Sequence, residues 1–333
     1  MLSLTERPIP EPVIAEFAEV KKFRFDADIQ ANDGEAGKLV AIIMEGDQPK
    51  VSHIGVHVGG FFRRTSVYYV PLDLVTEANA NTVTLSIPLD EIEKHVATPS
   101  GLALTSRTTV VAGGKTLGRL AQVTVHSHTR LLRHLVVERG LGREYLVPAT
   151  MVTSVAARQI TVDLGGTSAD RLTPYRDDEE LRQEAFNAIY DYARLRVDLP
   201  GIQIFAIDGV IWLKGHVASD LNRLLVADQL GGIVGLSELH NELVADNELA
   251  AAVSMALAKD PRTAGQRIGV YPKLGEVHLR GNVRTAEART AATEVARGVP
   301  GVKILMNELH VNPNADVVPV LAGVTNEEDV VPG

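Results

Sequence analysis

The chain contains no cysteine. That excludes a disulfide framework, a thiol nucleophile and any zinc site built on sulfur. Aromatic residues make up 5% of its 333 residues, and tryptophan occurs once, at Trp212. A surface that stacks exposed bases needs more aromatic side chains than this. No apolar run approaches the roughly 20 residues of a helical membrane span. The opening MLSLTERPIPEPV has neither a basic start, an apolar core nor a small-residue cleavage site, so the expected location is cytoplasmic, at most peripheral to a membrane. A net charge of −9 argues against indiscriminate binding to polyanions. No GxSxG elbow and no HExxH helix occurs, and a non-catalytic protein is expected.

What is present is a sentence said twice. Gly209 to Leu243 reads GVIWLKGHVASDLNRLLVADQLGGIVGLSELHNEL, and Gly275 to Leu309 reads GEVHLRGNVRTAEARTAATEVARGVPGVKILMNEL. The two align without a gap, so Gly215, Gly235 and Asn241 recur as Gly281, Gly301 and Asn307. Each copy predicts a strand, a glycine turn, a helix, a second glycine turn and a returning strand. Ser219 is the expected N-cap of the first helix. An amphipathic helix precedes each copy, Glu179 to Arg196 and Glu248 to Lys259, with Asp177 or Asp178 and Asp246 or Asn247 as candidate caps. Gly215 and Gly281 are expected where a Cβ is forbidden. The asparagines are expected to satisfy backbone groups in a neighbouring turn.

The LKGHV and LRGNV turns, with the GIVGLSELHNEL and GVPGVKILMNEL returns, resemble the BON domain, over residues 177–246 and 247–312. That resemblance implies a non-catalytic module associated with phospholipid surfaces, osmotic stress and, in one branch, potassium. Potassium or calcium held by glycine-turn carbonyls is the ion it suggests. An anionic lipid surface, a protein partner or a second copy of the chain are its candidate partners.

The first half has a different character. After an extension over residues 1–25, holding three prolines and an expected short helix near Ala15 to Val20, short β runs begin. They are Gly37 to Met44, Ile54 to Val58, Tyr68 to Leu72 and Val83 to Ile87, and a second set echoes them. Gly118-Arg119-Leu120 repeats Gly37-Lys38-Leu39, and Val147-Pro148 repeats Val70-Pro71. The two sets, residues 26–98 and 104–165, resemble the PRC-barrel, a small β-barrel. The expected fold class is therefore multidomain α+β: two small β-barrels, then two αββαβ modules. Residues 165–174 form the joint, and 313–333 are expected to be a disordered tail, the alternative being a docking peptide over Val317 to Val324.

The charges are uneven. Thr105 to Val162 carries eight basic residues against Glu138 and Glu144. Arg130, Arg133, Arg139 and Arg143, with His126 and His128 on one strand face, form a candidate anion site. Its two readings are pairing within the molecule and an external anionic partner, RNA or the ribosome being the alternative function. Ala112-Gly113-Gly114-Lys115-Thr116 looks like the end of a phosphate loop, but Thr109 stands where the first glycine belongs and a strand follows; a β-turn is the favoured reading.

Overall fold

A computed structural model describes residues 20–45, 49–58, 66–96, 99–156, 158–166, 168–315 and 321–322. The chain is mixed α+β and divides into two compact units, residues 1–178 with 207–209, and residues 179–206 with 210–333.

The first unit holds two seven-stranded sheets. One is built from β2 (Asp28–Ala31), β3 (Gly34–Glu45), β4 (Lys50–Val58), β5 (Ser66–Pro71), β6 (Val75–Ala78), β7 (Thr82–Leu85) and β8 (Leu102–Leu104), with the one-turn helix α1 (Leu89–Ile92) between the last two. The other is built from β1 (Val20–Arg24), β9 (Thr109–Ala112), β10 (Lys115–His126), β11 (Leu132–Glu138), β12 (Glu144–Pro148), β13 (Val152–Ala156) and β14 (Gln159–Val162). Their orders, β5-β4-β3-β2-β7-β6 and β12-β11-β10-β9-β14-β13, are the same. Among the described residues no ladder closes either path into a full barrel. β3 and β10 bury matching positions, each with a glycine two residues before the buried Leu39 or Leu120 and a fully buried stretch near its C-terminal end, apolar in β3 and holding the buried polar Gln122 and Thr124 in β10. Gly37 and Gly118 each lie against a backbone carbonyl, of His57 and Glu138, which leaves no room for a Cβ. Gly113 and Gly114, both at positive φ, make the two-residue turn of the β9–β10 hairpin, as the turn reading expects.

The leading strands are exchanged. β1 precedes the first sheet but pairs with β10 of the second, with Phe23 opposite Val123. β8 precedes the second sheet but pairs with β3 of the first, with Leu104 opposite Ile42. Adding 81 to Phe23 and Ile42 gives Leu104 and Val123, so the two pairings are one relationship used reciprocally. Phe23 and Leu104 are fully buried in a single core that draws on both sheets. Val20–Arg24 is therefore a core strand rather than the end of an extension, and the boundary drawn between the two β sets is crossed twice. The helix expected near Ala15 to Val20 falls mainly outside the described residues. At the end of the expected joint, Leu146 N donates to Thr173 O and Tyr175 N to Glu144 O, so this stretch runs along β12.

The second unit repeats one order of elements. α2 (Asp178–Asp191), β15 (Ile202–Ile207), β16 (Val210–Val217), α3 (Asp220–Leu230) and β17 (Glu238–Ala245) are followed by α4 (Asp246–Lys259), β18 (Arg267–Lys273), β19 (Glu276–Val283), α5 (Ala286–Arg297) and β20 (Ile304–Val311). α2 stops earlier than the expected Arg196, because Tyr192 is extended. Ser219 and Thr285 cap α3 and α5 by accepting from Asn222 N and Ala288 N. β16 and β19 pair in parallel with β17 and β20 in the same register, Gly215 opposite Leu243 and Gly281 opposite Leu309. Each module has its own apolar core. Past β20, Asn312 to Ala315 turns, and a two-residue strand β21 (Leu321–Ala322) joins the β18 edge. Part of the expected disordered tail is thus structured; the rest lies outside the described residues.

Candidate functional site

Gly215 and Gly281 lie inside strands β16 and β19, not in turns. Their φ values are +111° and +126°, and a Cβ would collide with the carbonyl oxygens of Gly201 and Arg267. Both positions are therefore strand glycines closed to a Cβ by a neighbouring backbone, where turns were expected. Gly235 and Gly301 do sit in turns, at φ +95° and +96°. Asn241 and Asn307 reach helices rather than turns. Their Nδ2 groups donate to Arg223 O at 3.0 Å and Arg289 O at 2.9 Å, and their Oδ1 atoms accept from Leu243 N and Leu309 N. Each asparagine thereby ties the module's second helix to its last strand.

The helix-start aspartates, expected as caps, do something else. Asp246 accepts from Leu274 N at 2.6 Å and Gly275 N at 3.1 Å, holding the two-residue β18–β19 turn. Asp178 accepts from Asp208 N at 2.9 Å in the equivalent turn. Both turns need positive φ at a non-glycine, Leu274 and Asp208, and the carboxylate offsets that strain. Burial raises the Asp246 pKa, and the two backbone N–H groups oppose the rise.

In the first unit this second clasp belongs to a buried charge cluster. Lys22 Nζ lies 2.5 Å from Asp178 and 2.9 Å from Asp208, and His134 Nδ1 lies 3.2 Å from Asp208. Burial works against the Lys22 charge, but Asp208 and Asp178 outweigh it and hold its pKa above the ordinary lysine value. Burial also opposes ionised Asp208, yet His134 and Lys22 bring its pKa down to about 2. Tyr175 exchanges a hydrogen bond with Gln122 beside them, and burial pushes its pKa up to about 12. Every charge here has a partner, which is the arrangement of a structural clasp rather than of a poised acid or base.

In the second unit, His216 is 4% exposed. Its Nε2 lies 2.6 Å from Gly301 O, and Gly275 packs so closely on the ring that a Cβ there would stand 2.7 Å from it. The imidazole of the first module is thus held between two glycines of the second.

The arginine set does not assemble. Arg130 precedes β11 and Arg139 follows it, which separates the two ends by roughly 20 Å of strand. Arg130 pairs with Asp73 at 2.5 Å, and Arg139 with Asp170 at 2.7 Å. Arg133 lies on β11 near the first end and Arg143 at the second. His126 ends β10 and its Nδ1 accepts from His128 N and Thr129 N, while His128 stands in the turn. The two histidines therefore do not share a strand face, because the strand ends between them. Among the described residues no group of three or more His, Asp or Glu is placed to hold a metal.

The surface that sequence reading missed is apolar. On α3, Leu221 and Leu224 are 47% and 63% exposed, and on α4 Met255 is 57% exposed, with exposed Ala251, Ala252 and Ala258 around it. The helix starts are joined: Asp220 N donates to Asn247 Oδ1, Asn247 Nδ2 donates to Asp220 Oδ1, and Arg223 forks onto Glu248. From this junction, the 221/224 and 251/255 stripes run out along two adjacent helices. The sequence carries the signal: Val226 and Leu230 form the buried stripe, and at 100° per residue Leu221 and Leu224 fall on the opposite side of the helix.

The BON-domain model matches residues 245–313, which makes this a BON-containing chain. The outer membrane lipoprotein DolP of Haemophilus influenzae is 27% identical over 138 residues, covering 38% of this chain and 70% of that protein. Among solved structures, CdsD, a structural protein of the type III secretion system of Chlamydia trachomatis, aligns with a TM-score of 0.33 at 16% identity over 40% of this chain and 61% of its own. A structure of the CdsD C-terminal domain aligns with a TM-score of 0.33 at 15% identity, over 41% and 66%. The chain thus spans less than two thirds of the CdsD chains it matches. Among the described residues no helix is long and apolar enough to cross a membrane.

Proposed function

We propose that this chain is a non-catalytic binding protein whose BON-containing half docks on a phospholipid surface, acting in the cytoplasm at the membrane periphery in an envelope- or stress-linked role. Residues 178–245 serve as a second BON module, and the two sheets of the first unit as a PRC-barrel-like pair. The observation that carries the reading is the pair of apolar stripes on α3 and α4, where Leu221, Leu224 and Met255 are left to solvent on adjacent helices. A relative that is an outer membrane lipoprotein is consistent with an envelope-linked setting. Insertion of such side chains at a headgroup boundary draws on apolar burial, about 1.5–3 kcal/mol for each fully buried leucine or methionine. With Arg130 and Arg139 engaged by Asp73 and Asp170, binding through the basic strand ends has no comparable support.

The two mechanisms differ in salt dependence. Flotation of the full chain with phosphatidylglycerol-containing vesicles should change less than about twofold between about 0.05 and 0.5 M salt. Leu224→Asp with Met255→Asp should abolish it while the melting curve stays unchanged. Binding that salt removes, or that survives the double substitution, refutes the reading.

A further inference from the structure

The helices of the second unit show solvent two kinds of face. α5 presents Glu287, Arg289, Glu294 and Arg297, the usual charged exterior of a globular helix. α3 and α4 do not. Leu221 and Leu224 stand where the second repeat has Glu287 and Thr290, and α4 runs from Leu249 to Ala258 without a charge.

The charges that border this face do not suit an anionic surface. α3 and α4 each carry two carboxylates against one base: Asp220 and Asp228 with Arg223, and Asp246 and Glu248 with Lys259. Arg223 forks onto Glu248 at 2.6 and 2.8 Å, and Lys259 stands at the last position of α4, a turn beyond Met255. Arg262, next along the chain, is engaged by Asp260 and Glu294, both at 2.8 Å. Anionic leaflets are recognised by clusters of lysine and arginine close to the inserted residues. Here the net charge of the two helices has the opposite sign.

The face is also shallow. Leu224 and Met255 are 63% and 57% exposed, while the exposed Ala251, Ala252 and Ala258 offer one methyl group each. The covered part of each long side chain gains nothing on insertion, so only the remainder drives it. Such a face does little to part well-packed headgroups. It gains most where acyl chains are already accessible, as in a strongly curved or loosely packed leaflet. Resting on the phospholipid-docking reading of this same face, we infer that its ligand is acyl-chain hydrocarbon exposed at lipid-packing defects, and that anionic headgroups take no part in the recognition. The surface thus selects membranes by curvature and chain packing.

Flotation of the full chain at neutral pH tests this with dioleoylphosphatidylcholine vesicles, pure or with about one third dioleoylphosphatidylglycerol, each at diameters of about 30 and about 200 nm. The partition coefficient should rise at least about fivefold from the large to the small vesicles, and phosphatidylglycerol should change it less than about twofold at either size. Leu224→Asp with Met255→Asp should lose binding to the small neutral vesicles; its survival overturns the inference, since another surface would then be responsible. Flotation with none of the four preparations refutes the docking reading itself. Flotation confined to the phosphatidylglycerol vesicles, or equal on large and small ones, overturns the inference and leaves the docking reading standing.

Discussion

His216 ties the two modules of the second unit together at least cost while it is neutral. Gly301 O can only accept, so Nε2 carries the proton of that 2.6 Å bond. Nδ1 is buried and has no hydrogen-bond partner among the described residues. Protonation would place a charged N–H there with no acceptor. Burial lowers the His216 pKa; Gly301 O and Asp246 favour the charged form, while Lys303 opposes it. The folded state therefore binds this proton more weakly than the unfolded state. The stabilisation is fully present above the ordinary histidine value of 6.5 and is lost as pH falls from there through the lowered folded value. The slope is at most about 1.4 kcal/mol per pH unit. Asn282 occupies the equivalent position of the second repeat, so His216→Asn is the substitution the fold itself offers. The readout is the opening free energy, from native-state hydrogen exchange, of peptides spanning Gly275 and Gly301, which avoids assuming one transition for a two-unit chain. Between about pH 7.5 and 5.5 the wild type should lose on the order of 1 kcal/mol more than His216→Asn. A difference between the two proteins that does not vary with pH refutes the assignment of a neutral, partnerless Nδ1.

Gly281→Val combines an unfavourable φ with a clash against Arg267 O and should cost about 3 kcal/mol or more in urea unfolding of the second unit; a loss under about 1 kcal/mol would mean β18 yields freely. Asp246→Ala leaves the Leu274 and Gly275 donors unsatisfied and should cost about 2–4 kcal/mol, with Asp246→Asn intermediate because one acceptor remains. Equal losses for the two variants would show that charge, not acceptor count, holds the turn. Lys22→Met strands two carboxylates, Asp178 and Asp208, and should lower the stability of the first unit by about 3–5 kcal/mol at neutral pH, with much of the loss recovered in acid where the carboxylates protonate. A melting temperature unchanged at neutral pH would show that the cluster is solvated.

The repeat of the second half is legible in the sequence because its signals are local. A glycine that cannot carry a Cβ, a serine or threonine cap and an inward asparagine each announce themselves within a few residues, and each recurs. The N-terminal exchange is not legible in the same way. VKKFR at residues 20–24 carries three charges and one aromatic, and nothing in five residues says that its partner lies about a hundred residues on. The clue is the repeat offset itself, which maps Phe23 onto Leu104, whereas composition turns to β only from Asp28. Asp178 and Asp246 escape a local reading for a related reason. An aspartate at a helix start satisfies a cap rule, and only the tertiary fold shows the hairpin turn brought back to it. The arginine cluster dissolves because proximity in sequence is not proximity along a strand, where seven residues separate two ends.

Strand exchange changes what counts as a unit in this chain. Each of the two sheets in the first unit would lose a hydrogen-bonded ladder, and a fully buried Phe23 or Leu104, if it were parted from the other. The bridge between Lys50 and Leu131, positions that the offset of 81 makes equivalent, lies where the two halves meet themselves. Sequence duplication thus produced two copies that share one core instead of two that stand alone. In the second unit the duplication took another course: each module keeps its own core, and the copies are joined by small, specific contacts, His216 between Gly275 and Gly301. A shared core leaves no freedom between its halves, because parting them exposes apolar surface at once. A polar, titratable joint costs far less to open and can be biased by a proton or by whatever binds the adjoining helices. The capacity for change in this protein therefore lies in the second unit, the half that also bears the exposed apolar stripes.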